Sequence, residues 1–359
     1  MRRQAGVGLI EVMISLVLGL FIAGVIIQVF LGNHRTYLVS ETLARVQENS
    51  RFATGLLERE LRPATYMGCL SKQGVPIFNT LNSTALPYDF SVGLRGGDNI
   101  SAVPTFAASL FNGSEPTPKI NTDVLLVQGT VGNGVPVVKN NNGAQLFAQL
   151  LSTRPNYCVP GQSGYSDLCE GDVVMVSDCQ KARVFQITNL TTAGGELNVV
   201  HSADKKYTPG NKINNWGGAS GNGGSTPAEE IFGAGAMIHR LETKMYYIAR
   251  ANNTQDWGLY RKINAQPGEL LIKGVMDLQL TYGEDLNQDR AVDRYVAANN
   301  VTDWSDVVGI GFALLLRSEQ GGVVTKPQAI SFAGATFQSS DLHWYRSVES
   351  TVALRNRLP

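Results

Sequence analysis

Residues Val12–Gly32 carry no charged side chain, and a single carboxylate, Glu11, stands immediately before them. At about 1.5 Å per residue this run spans roughly 30 Å as a helix, the thickness of one bilayer core. Arg2 and Arg3 precede it, so the positive-inside rule keeps the N-terminus cytoplasmic and exports the remainder. A cleaved signal peptide has a shorter apolar core followed by a small-residue site. Here Asn33-His34-Arg35-Thr36-Tyr37 follows, so an anchor is expected. A carboxylate at the end of such a span is costly to desolvate and points to a partner.

The chain has 359 residues, room for an anchor and a large head. Only 17% are charged while 38 are glycine, a balance suited to β-structure with many turns rather than to a helical bundle. Positive and negative side chains cancel, so no bulk charge points to nucleic acid and none is expected as a partner. Cys69, Cys158, Cys169 and Cys179 follow the anchor, and an even count in an exported segment fits two disulfides. A zinc site is the competing reading, but their spacing is not C-x2-C and no histidine lies close by. Of the three pairings, a local Cys158–Cys169 loop with Cys69–Cys179 tying the first helix to the sheet is preferred, and the others stay open.

Gly6, the hydrophobic Val7, and Glu11 at the fifth position after the glycine resemble the N-terminus of type IV prepilins. The resemblance implies a leader over residues 1–6, cut by a prepilin peptidase between Gly6 and Val7, with Val7 then N-methylated. It places Glu11 where the family's glutamate meets the N-terminal amine of a neighbouring subunit and sets axial register. Members usually begin with Phe or Met, so Val7 is a departure.

Val39, Leu43, Val46, Ala53, Leu57 and Leu61 recur at mostly three- and four-residue steps, broken near Asn49-Ser50, with charged residues largely between them. The spacing predicts an amphipathic helix that holds a sheet, with Phe52 and Leu56 in the core. Pro63 disfavours continuation. One helix from Val7 to Arg62 is expected, with a transmembrane half over 7–32 and an amphipathic half over 33–62. Residues 63–359 read as an exported β-rich head, long loops over 70–120 coming first. Strands are expected at Asp123–Gly129, Gly171–Cys179, Ala182–Thr188, Leu197–His201, Ala236–Ala249, Trp257–Ile263, Leu270–Tyr282, Val307–Ser318 and Trp344–Arg355, mostly joined as antiparallel hairpins. Residues 202–227, rich in Gly and Asn, read as a mobile surface loop in which Trp216 pins the loop to the sheet rather than meeting a carbohydrate. The fold class is α+β: a long N-terminal helix on an antiparallel sheet, as in pilins.

Gly171–Phe185, Lys273–Asp285, Trp304–Ser318 and the ending Val352–Arg357 are similar to the corresponding stretches of PilW-family minor pilins. That resemblance implies a low-abundance subunit that primes type IV pilus assembly at or near the tip. Its partners would be other minor pilins, the major pilin, the prepilin peptidase, the inner-membrane assembly machinery and a tip adhesin. It would sit in the bacterial inner membrane with a periplasmic head, then in the pilus on the cell surface. The J-type pseudopilins of type II secretion are related but usually shorter. A membrane-anchored binding module or adhesin, Ca-dependent or not, is the alternative from another class.

Asp285, Asn287, Asp289 and Asp293 fall at positions 1, 3, 5 and 9 of a calcium-loop pattern and form a candidate Ca2+ site. Arg290 replaces the glycine of position 6 and Val296 the glutamate of position 12, so a plain Asp/Asn turn is the competing reading. No other cofactor is expected. His34, His201, His239 and His343 lie in no zinc or nucleophile motif, and neither G-x-S-x-G nor a P-loop occurs. No catalytic residue is named, and the chain does not read as an enzyme.

Overall fold

Helix α1 runs from Leu9 to Leu61, about 80 Å at 1.5 Å per residue. The structure, a computed structural model, describes residues 8–357 apart from 70–75, 84–85, 112, 114, 144, 152–154, 205, 214–215, 217–230, 251–255 and 265. Arg62, still helical, closes α1 where Pro63 has no N–H to extend the ladder. Along the second half the buried residues are Thr42, Val46, Ser50, Ala53, Leu56, Leu57 and Leu61. The stripe is therefore unbroken at Ser50. The Ser50 hydroxyl donates to the Gln47 carbonyl at 2.8 Å and the Thr42 hydroxyl to that of Leu38 at 2.7 Å, so both pass as small core residues. Leu56 is buried as expected, but Phe52 is 56% exposed. It stands one residue, roughly 100°, off Ala53 and so off the inward face.

Among the described residues the larger of the two main sheets has eleven strands. Its spine is the antiparallel pair Val124–Lys139 and Met237–Ala249, with Leu125 opposite Tyr246 and Pro136 opposite Met237. The first strand outruns the expected Asp123–Gly129: Thr130 and Val131 stay in register with Leu241 and Arg240, and a bulge then carries the ladder on to Val135 opposite Ile238. On one flank Val173–Ser177 pairs with the start of Met237–Ala249, and Ala182–Gln186 pairs with Val173–Ser177. On the other flank stand Gln145–Gln149, Glu196–Val200 and Asn189–Ala193. The end of Met237–Ala249 pairs instead with Gly258–Ile263, which pairs with Glu269–Lys273. Among the described strands the one parallel pair joins Ile77–Asn79 to Ala182–Gln186.

A second sheet, ordered Arg294–Val296, Val275–Glu284, Val307–Arg317, Tyr345–Ala353, is antiparallel throughout. The single strand expected over Leu270–Tyr282 is divided at Gly274. There the backbone takes φ 80 and the chain passes between sheets: Gly274 N–H donates to Trp257 at 2.9 Å, and its carbonyl accepts from Arg317 N–H at 2.7 Å. An added Cβ would lie 2.7 Å from the Arg317 carbonyl oxygen, so a larger residue is excluded. Val46, Ala53, Leu57 and Leu61 share one core with Leu278, Leu280, Phe312, Leu314 and Val352, and Leu125, Tyr246 and Ile248 bring in the larger sheet.

Cys69 is bonded to Cys179 and Cys158 to Cys169. The first bridge ties the segment after α1 to the turn between Val173–Ser177 and Ala182–Gln186. Most of 202–227 expected as a loop lies outside the described residues. What is described is anchored: the Asn211 side chain accepts from Gln186 N–H at 2.7 Å and donates to the Gln186 carbonyl at 2.8 Å. Trp216 is 1% exposed and stacks on His201 with ring centroids 4.1 Å apart, so its ring offers no surface to a carbohydrate.

Candidate assembly interface

Gly6 and Val7, expected to flank the processing site, lie outside the described residues. Glu11 sits in the first turn of α1, where free N–H groups and the helix dipole favour negative charge. No described residue donates to its carboxylate. The next arginine along the helix is Arg35, about 36 Å away.

Between Glu11 and Arg35 the helix is bare. From Leu9 to Leu31, seventeen large apolar side chains are each at least 49% exposed. At roughly 1.5 kcal/mol or more per side chain, leaving them in water costs tens of kcal/mol. The helix is long and apolar enough to cross a membrane.

At the other end α1 is held by charge as well as by packing. Glu60 accepts from Lys244 Nζ at 2.9 Å, from the Tyr246 hydroxyl at 2.8 Å and from Arg261 at 3.2 Å. Burial pushes this carboxyl up, but the donors outweigh it and hold it below the usual glutamate range. Glu58 accepts from the Ser350 hydroxyl at 2.8 Å, fastening α1 to the edge strand Tyr345–Ala353. Glu60 stands in no motif of the sequence. Its only signal is helical phase, since it lies seven residues after Ala53 and three after Leu57, in line with the buried stripe.

Asp285, Asn287, Asp289 and Asp293 come together in one loop, whose side-chain oxygens accept from its own backbone. Asp285 accepts from Asp289 and Arg290 N–H at 3.2 and 2.7 Å, Asn287 from Asp289 at 2.9 Å, Asp289 from Ala291 at 2.8 Å, and Asp293 from Leu286 at 2.7 Å. Among the described residues no group of three His, Cys, Asp or Glu is gathered to hold a metal ion. Arg290, where a calcium loop carries glycine, takes the left-handed φ of 69 that such a loop needs.

The four histidines are scattered. His201 is buried against Trp216 and Phe185, and burial pushes it down to about 3. His239 lies against Gly68 and Gly134, His343 Nδ1 is 2.8 Å from the Ser318 carbonyl, and His34 stacks on Phe30 along α1.

Two family models match the chain. One, described as type IV Pilus-assembly protein W, covers residues 245–356, from the end of Met237–Ala249 through the whole second sheet. The other, the prokaryotic N-terminal methylation motif, covers residues 1–27. The Gly171–Phe185 hairpin lies outside both. No curated protein and no solved structure matches the chain. The assembly-protein family is a structural component of the pilus. With a methylation motif heading its bare apolar helix and the second sheet matched at its other end, the chain is similar to type IV pilus-assembly protein W over about its last third, and the two matches together support a type IV pilin-like minor pilin.

Proposed function

We propose that this chain is a membrane-anchored minor pilin that is cut after Gly6, N-methylated at Val7, and joins other minor pilins at or near the tip to prime pilus assembly. One observation carries the reading: a half-helix of exposed apolar side chains headed by Glu11, which has no partner among the described residues, on a head fastened firmly to the other half. The inner membrane covers that half before assembly, with the N-terminus cytoplasmic and the head periplasmic because Arg2 and Arg3 precede the span. Helices of neighbouring subunits, the major pilin among them, cover it afterwards. Loss of the leader frees an amine at Val7, and Glu11 of one subunit meets the amine of the next. The pair offsets the desolvation of both charges and selects one axial register.

Mass spectrometry of the chain from membranes and from sheared pili tests this. The expected N-terminus is N-methylated Val7, with the pilus fraction labelled by antibody at filament ends and piliation reduced when the chain is deleted. A mature chain beginning at Met1, or beyond Gly32, overturns the reading. We also propose Ca2+ as a ligand of the Asp285–Asp293 loop, supported by the left-handed turn at Arg290.

A further inference from the structure

Where α1 ends, Gly55, Glu58, Arg59, Arg62, Pro63 and Arg355 line an open groove of about 460 Å3. The guanidiniums of Arg59, Arg62 and Arg355 meet no described partner, while the single carboxylate, Glu58, is engaged by Ser350. The walls are tied together. Arg355 N–H donates to the Arg62 carbonyl at 3.1 Å, and Asn356 Nδ2 donates to the Pro63 and Ala64 carbonyls at 3.2 and 3.3 Å. Three arginines against one carboxylate leave this preformed surface net positive, which suits incoming carboxylates, held by planar guanidinium forks with two parallel hydrogen bonds.

Gly55 is an independent sign. A mid-helix glycine costs about 1 kcal/mol against alanine. A Cβ added there would meet nothing within 4 Å, so nothing in the described chain requires glycine. A bare Cα at the groove lets an outside backbone come close, since interaxial distance is set by the side chains at a helix crossing. Gly55 lies about 35 Å along the helix from Gly32, beyond the reach of lipid headgroups.

We propose that this groove receives the helix of a different pilin-like subunit, lying along α1 at Gly55 and presenting Asp or Glu side chains to Arg59, Arg62 and Arg355. The inference rests on the pilin reading above: a helix covering Leu9–Leu31 runs beside the same continuous α1 and meets this groove next.

The test uses the full chain expressed in cells with the other pilin-like subunits of its assembly system. p-Benzoylphenylalanine replaces Phe52, exposed about one helical turn before Gly55, in one version and Leu20 in another, and adducts are mapped by mass spectrometry. The expected result is a position-52 adduct on an acidic helical peptide of another pilin-like subunit. Arg59→Glu with Arg62→Glu and Arg355→Glu lowers its yield at least tenfold and leaves the position-20 yield within twofold, with an unchanged Tm showing an intact fold. The groove proposal is overturned if position 20 links to such a subunit while position 52 gives no adduct, or one only with lipid or a second copy of this chain. It is equally overturned if the position-52 yield survives charge reversal. No adduct at either position overturns the pilin reading itself and the groove with it.

Discussion

Glu60 on α1 and Lys244 on Met237–Ala249 lie 2.9 Å apart, and Tyr246 and Arg261 close the same carboxylate into a joint between helix and sheet. Glu60→Gln leaves two cations facing a neutral amide in a largely buried setting and is expected to cost about 2–4 kcal/mol. The sign of its pH dependence follows from a folded value held below 4.5. The contribution is complete above that pH and is lost as pH falls through the folded value. Denaturant unfolding from pH 3 to 7 should therefore show less acid sensitivity in the variant. An equal acid slope in both chains counts against the joint.

Asp123 gives the opposite dependence. Its carboxylate accepts from Asn99 N–H at 2.8 Å and Leu280 N–H at 2.7 Å, joining the larger sheet to the second one, and burial lifts it to about 7. Between about pH 4 and pH 7 the folded chain holds a proton that the unfolded chain has released. Stability therefore falls as pH rises across that window. Asp172, pushed up to about 6 by burial, adds to the same slope. Asp123→Asn should flatten the curve between pH 6 and 7 and leave the part due to Asp172. A wild-type curve that is level from pH 4 to 7 contradicts this.

The disulfides differ in reach. Cys69–Cys179 spans a sequence separation of 110 and Cys158–Cys169 one of 11. In the chain-entropy account these restrict the unfolded state by about 5 and about 3 kcal/mol. The double variant Cys69→Ser, Cys179→Ser should lower unfolding free energy more than Cys158→Ser, Cys169→Ser. The reverse order in denaturant titrations would show that local strain or residual structure dominates.

How much of this is legible in the sequence depends on how local the signal is. The uncharged run, Pro63 and the apolar Val307–Arg317 are local, and helix and central strand follow from them. The division at Gly274 is not local: it depends on the Arg317 carbonyl meeting the position where a Cβ would stand. Ser50 breaks an apolar pattern on paper but not in space, because its hydroxyl is satisfied within the helix. Phe52 misleads in the other direction, apolar by type and outward by phase. The groove at Gly55 was hidden because Arg355 arrives from the other end of the chain.

Calcium binding by the Asp285–Asp293 loop is decided by titration. Its oxygens now accept from backbone N–H groups, so an ion must draw Asp285, Asp289 and Asp293 together, and affinity in the millimolar range of extracellular modules is expected. Calorimetry should show saturable heat that Asp289→Asn reduces severalfold. A flat titration to 10 mM, an order-of-magnitude ceiling for such modules, would leave the loop as a turn held by its own side chains.

Glu11→Ala separates processing from assembly. The proposed peptidase site at Gly6 and Val7 is untouched in this variant, and the apolar run is one charge less costly to embed. Cleavage and N-methylation should proceed, and membrane levels should match wild type. On the proposed pairing, what is lost is the partner for a neighbour's amine, which leaves that amine buried and unpaired on entry into the filament. At a loss of about 3 kcal/mol or more for such a broken pair, incorporation into sheared pili should fall by at least tenfold. Glu11→Asp, which keeps the charge on a shorter stem, should recover part of it. Normal incorporation of the alanine variant would show that the first turn of α1 does not choose the register, and that the apolar side chains alone do so.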